Sequence, residues 1–547
     1  GVSLSNVTRN VDRNLVSEAH LALSSLAALD VQQSYYRRIQ DLFGQPDSNI
    51  SVSARLNDLG TALQELAATP ESAILQTNSV DLAVRLALQI NDMAEQIQKL
   101  RTEADREIAD KVAVANDQLE AIVRLNADIA RGLAMGRPIG DLEDQRDMAV
   151  DILSGLIEVR TFTRSSGEIV VTTPDGRVLA DSVAATLTHD AASQLSASVS
   201  YPGSIGGIDY AGVDITGSIQ GGEIAGLIEM RDSILPDLQA ELDQLTELLR
   251  DEINLVHNAG TGLPAANSLT GSRSFADPTT DTITFTSDVR IGVVDSAGDF
   301  VAYYDLPAGA YAIDAIEAAI DANLAGFASA STSAGGPLSI TADDAANGIA
   351  IVDLGTNTVT HTDGATTYEG FSNYFGLNDL FVTPGIVAGD STVGIANALE
   401  VRSDIVADPA LLSRATLDSA TGGSAPAAGD PGVTLGDASA IQALADKFNE
   451  SLSFSATGGL PARSETLAGY AKEIIAVNSM AFDRLDADIA FRASVHEQLT
   501  FRLRSDSGVN LDEELANLVI YQNAYSAAAQ VIATTQELFN VLTNMVR

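Results

Sequence analysis

The chain has 547 residues and a mass of 57.0 kDa, with 74 acidic against 31 basic side chains, a net charge of −43 and a pI near 4.2. That charge argues against nucleic acid or an anionic membrane as the main partner. The absence of cysteine excludes disulfides, zinc–thiolate sites, iron–sulfur clusters and thiol nucleophiles.

No apolar run reaches the roughly 18–20 residues of a membrane span. At about 100–200 residues per domain, the length predicts about three or four domains. The start, Gly1-Val-Ser-Leu-Ser, has neither a basic n-region nor an apolar h-region, so no signal peptide is expected. It also has no Met, and the chain reads as a fragment that begins inside a longer protein.

In chain order, Leu15, Ala19, Leu23, Leu26, Leu29 and Val31 predict a helix over 10–43, stopped by Gly44 and Pro46. A second helix is expected over 54–68, before Thr69-Pro70. Leu86, Ile90, Met93, Ile97, Leu100 and Ala104 then recur at gaps of four, three, four, three and four, a heptad seam. It continues through Ile108, Val112, Ala115, Leu119, Ile122 and Ile129, with a stutter between Ala104 and Val112. No Pro or Gly interrupts Asp81 to Arg131, so a rod of roughly 75 Å is predicted.

A break at 132–140 and a helix at 141–156 follow. Glu168 to Thr173 and Val178-Leu179 flank Asp175-Gly176, which predicts a hairpin. Short strands are expected over 185–215. A second long helix is predicted from Glu223 to His257, where Pro236 marks a kink or a late start.

From 263 to 394 the composition shifts to Thr, Ser, Ala, Gly and Asp. Strands are expected at Thr282 to Thr286, Ala302 to Leu306, Leu338 to Thr341 and Ile349 to Val352, with a helix from Ile313 to Leu324. Residues 420–436 form a Gly/Pro/Ala loop, read as mobile. Helices return at 438–451 and 467–503. After the break at Ser507-Gly-Val-Asn, a last helix runs from Leu511 to the C-terminus.

The fold class is therefore α+β, elongated and multi-domain. Long coiled-coil-like helices from both chain ends form a rod domain that carries an inserted β-rich domain. The expected units are 1–261 (rod, with a small β element at about 159–217), 262–394 (β-rich insertion), 395–506 (return to the rod) and 507–547 (C-terminal axial helix).

Motifs of chemistry are sparse. The sequence has no phosphate-binding loop, dinucleotide fingerprint, zinc-protease helix or nucleophile elbow. His361-Thr-Asp363 and Asp343-Asp344 read as surface turns, and Asp141, Glu143, Asp144 and Asp147 as a solvated helix start. No catalytic, metal or cofactor residue is assigned, and an enzyme is not expected. The stripe Leu86, Ile90, Met93, Ile97, Leu100, Leu119, Ile122 and Ile129 is read as an intramolecular rod core. The stripe Leu511, Leu515, Leu518, Tyr525, Ile532, Phe539 and Leu542 is read as an intermolecular assembly face.

The stretch Ser507-Gly-Val-Asn-Leu-Asp-Glu-Glu, with Tyr521-Gln-Asn-Ala-Tyr-Ser-Ala-Ala-Ala-Gln-Val downstream and Leu538-Phe539, resembles the C-terminal signature of flagellar rod, hook and hook-associated proteins. Gly1-Val-x-Leu-x-Asn-Val, Asp141-Leu-Glu-Asp-Gln-Arg-Asp and Asn254-x-x-His-x-Ala-Gly select the hook-associated protein 1 family within it. The likeness covers 1–260 and about 440–547 and is weak in the β insertion. The family also carries an N-terminal helix ahead of the point where this chain starts.

The resemblance implies a structural role: export through the flagellar type III apparatus without a cleaved signal peptide, and assembly outside the cell as a ring joining hook to filament. The partners it implies are hook protein, the second junction protein, further copies of the chain, and an export chaperone that holds the C-terminal helix. Nucleic acid and membrane are not among them. The alternatives are another axial protein such as hook protein, a secreted adhesin using the β-rich insertion, and an enzyme. An adhesin would need a pocket or an aromatic platform, for which Tyr303, Tyr304, Tyr368, Phe371, Tyr374 and Phe375 are the candidates, although Phe371-x-x-Tyr-Phe-Gly-Leu reads more simply as a core segment.

Overall fold

The computed structural model describes residues 12–44, 51–361, 366–387, 389–420, 426–507 and 511–545. The architecture is α+β. Helix α1 (Arg13–Phe43) opens on Asp12, whose carboxylate accepts the N–H groups of Asn14 and Leu15. Helix α2 (Val52–Ala68) opens on Ser51, whose hydroxyl accepts the Ala54 N–H. Thr69-Pro70 then turns the chain into α3 (Ala73–Ala134).

Helix α3 has 62 residues, about 93 Å at 1.5 Å per residue, and extends past both ends of the predicted rod. Its seam is buried from Val80 to Ile129. The helix stops where Gly136 takes the left-handed conformation, at φ 64°.

Helix α4 (Gly140–Leu156) folds back along α3. Strands β1 (Arg160–Thr163), β2 (Ile169–Thr172) and β3 (Val178–Ala180) form an antiparallel sheet, with Asp175-Gly176 turning β2 into β3. The short strands β4 (Leu187–Thr188), β5 (Asp209–Tyr210) and β6 (Val213–Asp214) form a second one.

Helices α5 (Gly222–Glu229) and α6 (Leu235–Asn258) are joined by a π-helical turn at Met230–Ile234. Pro236 therefore neither breaks the helix nor delays its start. A proline ring crowds the carbonyl four residues back and supplies no N–H, and the wider π turn takes up that mismatch.

The β-rich part comprises β7 (Ser268–Phe275), β8 (Thr282–Phe285), β9 (Val289–Val294), β10 (Phe300–Leu306), β11 (Gly309–Ala312), α7 (Ile313–Asn323), β12 (Ala328–Ser331), β13 (Gly336–Ala342), β14 (Gly348–Asp353), β15 (Thr358–His361), β16 (Thr367–Glu369) and α8 (Phe371–Phe375). Its sheets run in the orders β10-β9-β14, β11-β8-β15-β16 and β12-β13-β7, all antiparallel. Central strand β9 is buried along its whole length, and Ile291 pairs with Tyr304 on one side and Ile351 on the other. One core gathers Phe275, Phe285, Ile291, Ile316, Ile340, Phe371 and Leu377.

The chain leaves that core at Leu377, ahead of the expected boundary at 394. Leu380, Phe381, Ala396 and Leu399 belong to the helical core instead. In this stretch β17 (Phe381–Val382) pairs with β18 (Glu400–Val401), and α9 (Ser403–Ala407) follows. An apolar set on a short, Gly-rich segment gives no period to read, so only packing reveals which body it joins.

The described residues of the 420–436 loop are anchored, against the expectation of mobility. Val433 is buried, the Phe300 N–H donates to the Asp430 carbonyl, and Asp418 N–H donates to Gly432. Gly298 sits under Val433 at φ 93°, and a Cβ there would lie 2.1 Å from the Val433 carbonyl oxygen. Residues 421–425 lie outside the described residues.

Helix α10 (Ser439–Lys447) ends earlier than expected. It gives way to β19 (Leu452–Phe454), which pairs with β20 (Arg463–Glu465). Helix α11 (Leu467–Ser507) buries Leu467, Tyr470, Ala471, Ile474 and Ile475 in the helical core and then runs out along α1. Helix α12 (Leu511–Met545) ends the described chain. The accessible surface is 26461 Å², against about 18,700 Å² for a compact protein of this mass. The excess reflects an elongated molecule.

Candidate functional site

The expected rod stripe lies inside. Leu86, Ile90, Ile97, Leu119, Ile122 and Ile129 have no exposed surface, and Met93 and Leu100 almost none. They pack against Leu238, Leu242, Leu245 and Leu249 of α6 and against α2 and α4.

The seam also holds polar groups that the apolar spacing does not announce. Gln98, Arg101, Thr102 and Asp105 are buried on the same face. Arg101 donates to the carbonyls of Arg231, Ser196 and Val199. Asp105 accepts from Arg231 at 2.7 Å, His189 at 2.9 Å and the Ala192 N–H at 2.7 Å.

Burial by itself would raise the Asp105 carboxyl, yet the His189, Ala192 and Arg231 bonds hold it below the usual carboxylate range. The π turn is what delivers Arg231 to this cluster. The result is an irregular loop, 189–199, fastened to the middle of the long helix by the Asp105–His189 pair and by buried hydrogen bonds to its backbone. The 3–4 spacing of these four polar residues along α3 is the one signal in the sequence that could have marked them.

The Asn254-x-x-His motif forms a second buried polar cluster, at the C-terminal end of α6. Asn254 Oδ1 accepts from the N–H groups of Leu380 and Phe381, and its Nδ2 donates to the Phe381 carbonyl. Asn258 Oδ1 accepts from the Asn378 N–H and the Ser372 hydroxyl, while its Nδ2 donates to Asp379. His257 bonds Asn378 and Ser413. This motif thus holds the return from the β-rich body onto α6.

The expected assembly face is laid open. Every described side chain of α12 from Leu515 to Met545 is exposed. Tyr525 is 80% exposed, Phe539 71%, Ile532 63% and Leu542 63%. Leu515 and Leu518 are exposed too, whereas the side chain of Leu511 lies outside the described residues. Before it, α11 runs antiparallel to α1, with Gln33 donating to Asp486 at 2.8 Å, and leaves Met480, Phe491 and Phe501 exposed. Isolated apolar residues on a surface are ordinary, but here the exposed apolar residues run along a whole helix.

Of the candidate aromatic platform, Phe371, Tyr374 and Phe375 are buried in the β-rich core, where they meet Phe275 and Phe285 tilted or edge to face. No group of three or more His, Asp or Glu with metal-ligand geometry occurs among the described residues. No described helix is long and apolar enough to cross a membrane.

Residues 36–275 match the family described as the flagellar hook-associated protein FlgK helical domain. Residues 505–545 match the C-terminal family of the flagellar basal body rod FlgEFG proteins. Flagellar hook-associated protein 1 of Salmonella typhimurium is 25% identical over 566 residues, covering 100% of this chain and 90% of that protein. The Escherichia coli protein of the same name is 24% identical over 556 residues, covering 100% and 90%.

Residues 36–275 are thus a flagellar hook-associated helical domain, and the likeness to hook-associated protein 1 runs along the whole chain. The solved flagellar hook junction protein FlgK from Burkholderia pseudomallei shares its fold, with a TM-score of 0.51 at 17% identity over 89% of this chain and 100% of that one. By this likeness the chain is a flagellar hook-associated structural protein. Its helical-domain match spans α3 and α6 and with them the residues of α3 and α6 that build both buried polar clusters, and the rod-protein match spans the exposed α12.

Proposed function

We propose that the chain is a component of the hook–filament junction, assembled as a ring through its C-terminal helix. The observation that carries this reading is α12, a helix with its entire described apolar stripe in solvent. Uncovering the stripe is costly at about 25 cal/mol per Å² of apolar surface, so assembly gains by covering it.

The stripe Leu511, Leu515, Leu518, Tyr525, Ile532, Phe539 and Leu542 is the face that packs in the assembly, and that an export chaperone covers beforehand. Leu86, Ile90, Met93, Ile97, Leu100, Leu119, Ile122 and Ile129 are the core of a rod domain that keeps its shape throughout. The rod domain combines α1–α6 with α10 and α11, and the β-rich insertion stands to its side. Hook protein, the second junction protein and further copies of the chain are the partners. The site of action is extracellular, reached without a cleaved signal peptide. The acidic surface keeps unassembled subunits apart.

The test compares the full chain with a version ending at Ser507, by solution mass, circular dichroism, and binding to purified hook protein and to the export chaperone. Retained folding with lost binding is the expected result. Unfolding of the whole protein would make α12 part of the internal core and remove the main support for this reading.

A further inference from the structure

The chain passes between the helical and β-rich cores at 259–263, at 377–380, at 412–417 and at 433–441. The first three passages meet on His257, which has no exposed surface. Its Nδ1 lies 2.5 Å from the Asn378 carbonyl oxygen, and its Nε2 lies 3.0 Å from the Ser413 backbone nitrogen. A carbonyl can only accept and a backbone N–H can only donate, so Nδ1 carries the proton and Nε2 is bare.

Neighbouring bonds close the cluster. Asn378 Nδ2 donates to the His257 and Gly260 carbonyls and to Ser413 Oγ, and Ser413 Oγ donates to the His257 carbonyl at 2.7 Å. The charged groups on the surrounding elements are Arg250 on α6, Asp379 beside Asn378, Arg402 and Asp404 at α9, and Arg414 beside Ser413.

We infer that this three-way cluster is an acid-released hinge pin between the helical and β-rich bodies. A proton added from solvent to Nε2 turns the acceptor of the Ser413 N–H into a donor aimed at a donor. The bond to Ser413 breaks and the buried cation has no counter-acceptor there. Each body keeps its own hydrophobic core and the Asn254 and Asn258 bonds remain, so release loosens their relative orientation without melting either. Burial holds the imidazole down at about 4, with Arg402 adding to that and the Asn378 bond and Asp404 opposing it. The release therefore falls below pH 5.

The chain has no cysteine, so Glu120→Cys on the exposed side of α3 and Ser331→Cys on β12 give two clean label positions on the full chain. Spin-label distances between them are expected to be narrow at pH 7 and broad at pH 4, with helicity unchanged by circular dichroism. In His257→Gln, whose amide donates and accepts at every pH, the broadening should disappear. A narrow distribution at pH 4, equal broadening in His257→Gln, or helicity lost together with the distance order would each overturn the inference. Should His257→Gln not fold, NMR titration of the histidine rings in the full chain decides instead. A His257 midpoint below 5 that coincides with the broadening supports the hinge pin, and any other midpoint refutes it.

Discussion

Asn254 grips the backbone of Phe381 from both sides: its Oδ1 accepts the Phe381 N–H at 2.9 Å and its Nδ2 donates to the Phe381 carbonyl at 2.6 Å. The same Oδ1 accepts from Leu380. A single side chain on α6 thereby completes the backbone pairing of β17, whose strand neighbour is β18.

Asn254→Ala would leave two buried N–H groups and a carbonyl without partners. A loss of about 3 kcal/mol or more is expected, since each of the three orphaned buried groups costs roughly 1–3 kcal/mol. Asn254→Asp keeps the acceptor and loses only the donor, so it should fall between. Urea denaturation of the full chain measures both. Equal stability of all three proteins would contradict the clasp.

Glu241 gives a pH dependence of opposite sense to His257. Burial pushes its carboxyl up from 4.5 to about 7, with the Gly459 N–H pulling it down and Asp237 adding to the rise. The folded protein holds a proton there that the unfolded chain has released. The stability from this group is complete below pH 4.5 and is lost as the pH rises through 7, by at most about 3 kcal/mol. Glu241→Gln should flatten the melting temperature between pH 5 and 8 and leave the variant more stable at pH 8. A variant that melts lower than the parent at pH 8 would mean that the carboxylate is needed in its charged form.

The long helix offers a paired comparison. Ile122 is fully buried in the seam and Leu88 is 56% exposed on the other side. Ile122→Ala should cost about 2–5 kcal/mol through lost burial and a residual cavity. Leu88→Ala should stay within about 0.5 kcal/mol. Thermal or chemical unfolding distinguishes them, and similar losses would place the seam elsewhere.

Charges placed on α12 should separate folding from assembly. Tyr525→Glu with Ile532→Glu is expected to leave the melting temperature of the isolated chain unchanged, because neither residue is buried. Binding to hook ends should fall at least about tenfold, since a charge in a closed interface carries a heavy desolvation cost. Unchanged binding would exclude this stripe from the assembly face.

Much of this was legible in advance. The heptad spacing from Leu86 to Ile129, the Asp175-Gly176 hairpin and the second long helix all follow from periodicity and turn chemistry, because those signals are local. The C-terminal motif pointed to the family for the same reason. The place of residues 380–401 and the anchoring of 426–436 were not legible. Both depend on which distant surface a short apolar segment meets.

What the sequence determined by itself is the set of helices, their apolar faces and an acidic, cysteine-free surface. Only the tertiary structure decided which apolar face is covered. Periodicity does not separate Ile122 from Ile532, since both sit on apolar helical stripes, yet one has no exposed surface and the other 63%. The tertiary structure also decided that Asn254, His257 and Asn258 act together on the returning chain, with Asn378 and Ser413 lying 120 or more positions from His257 and Asn258. Hydrogen bonds between such distant positions leave no period in a sequence, and they form only after the helical and β-rich cores have closed.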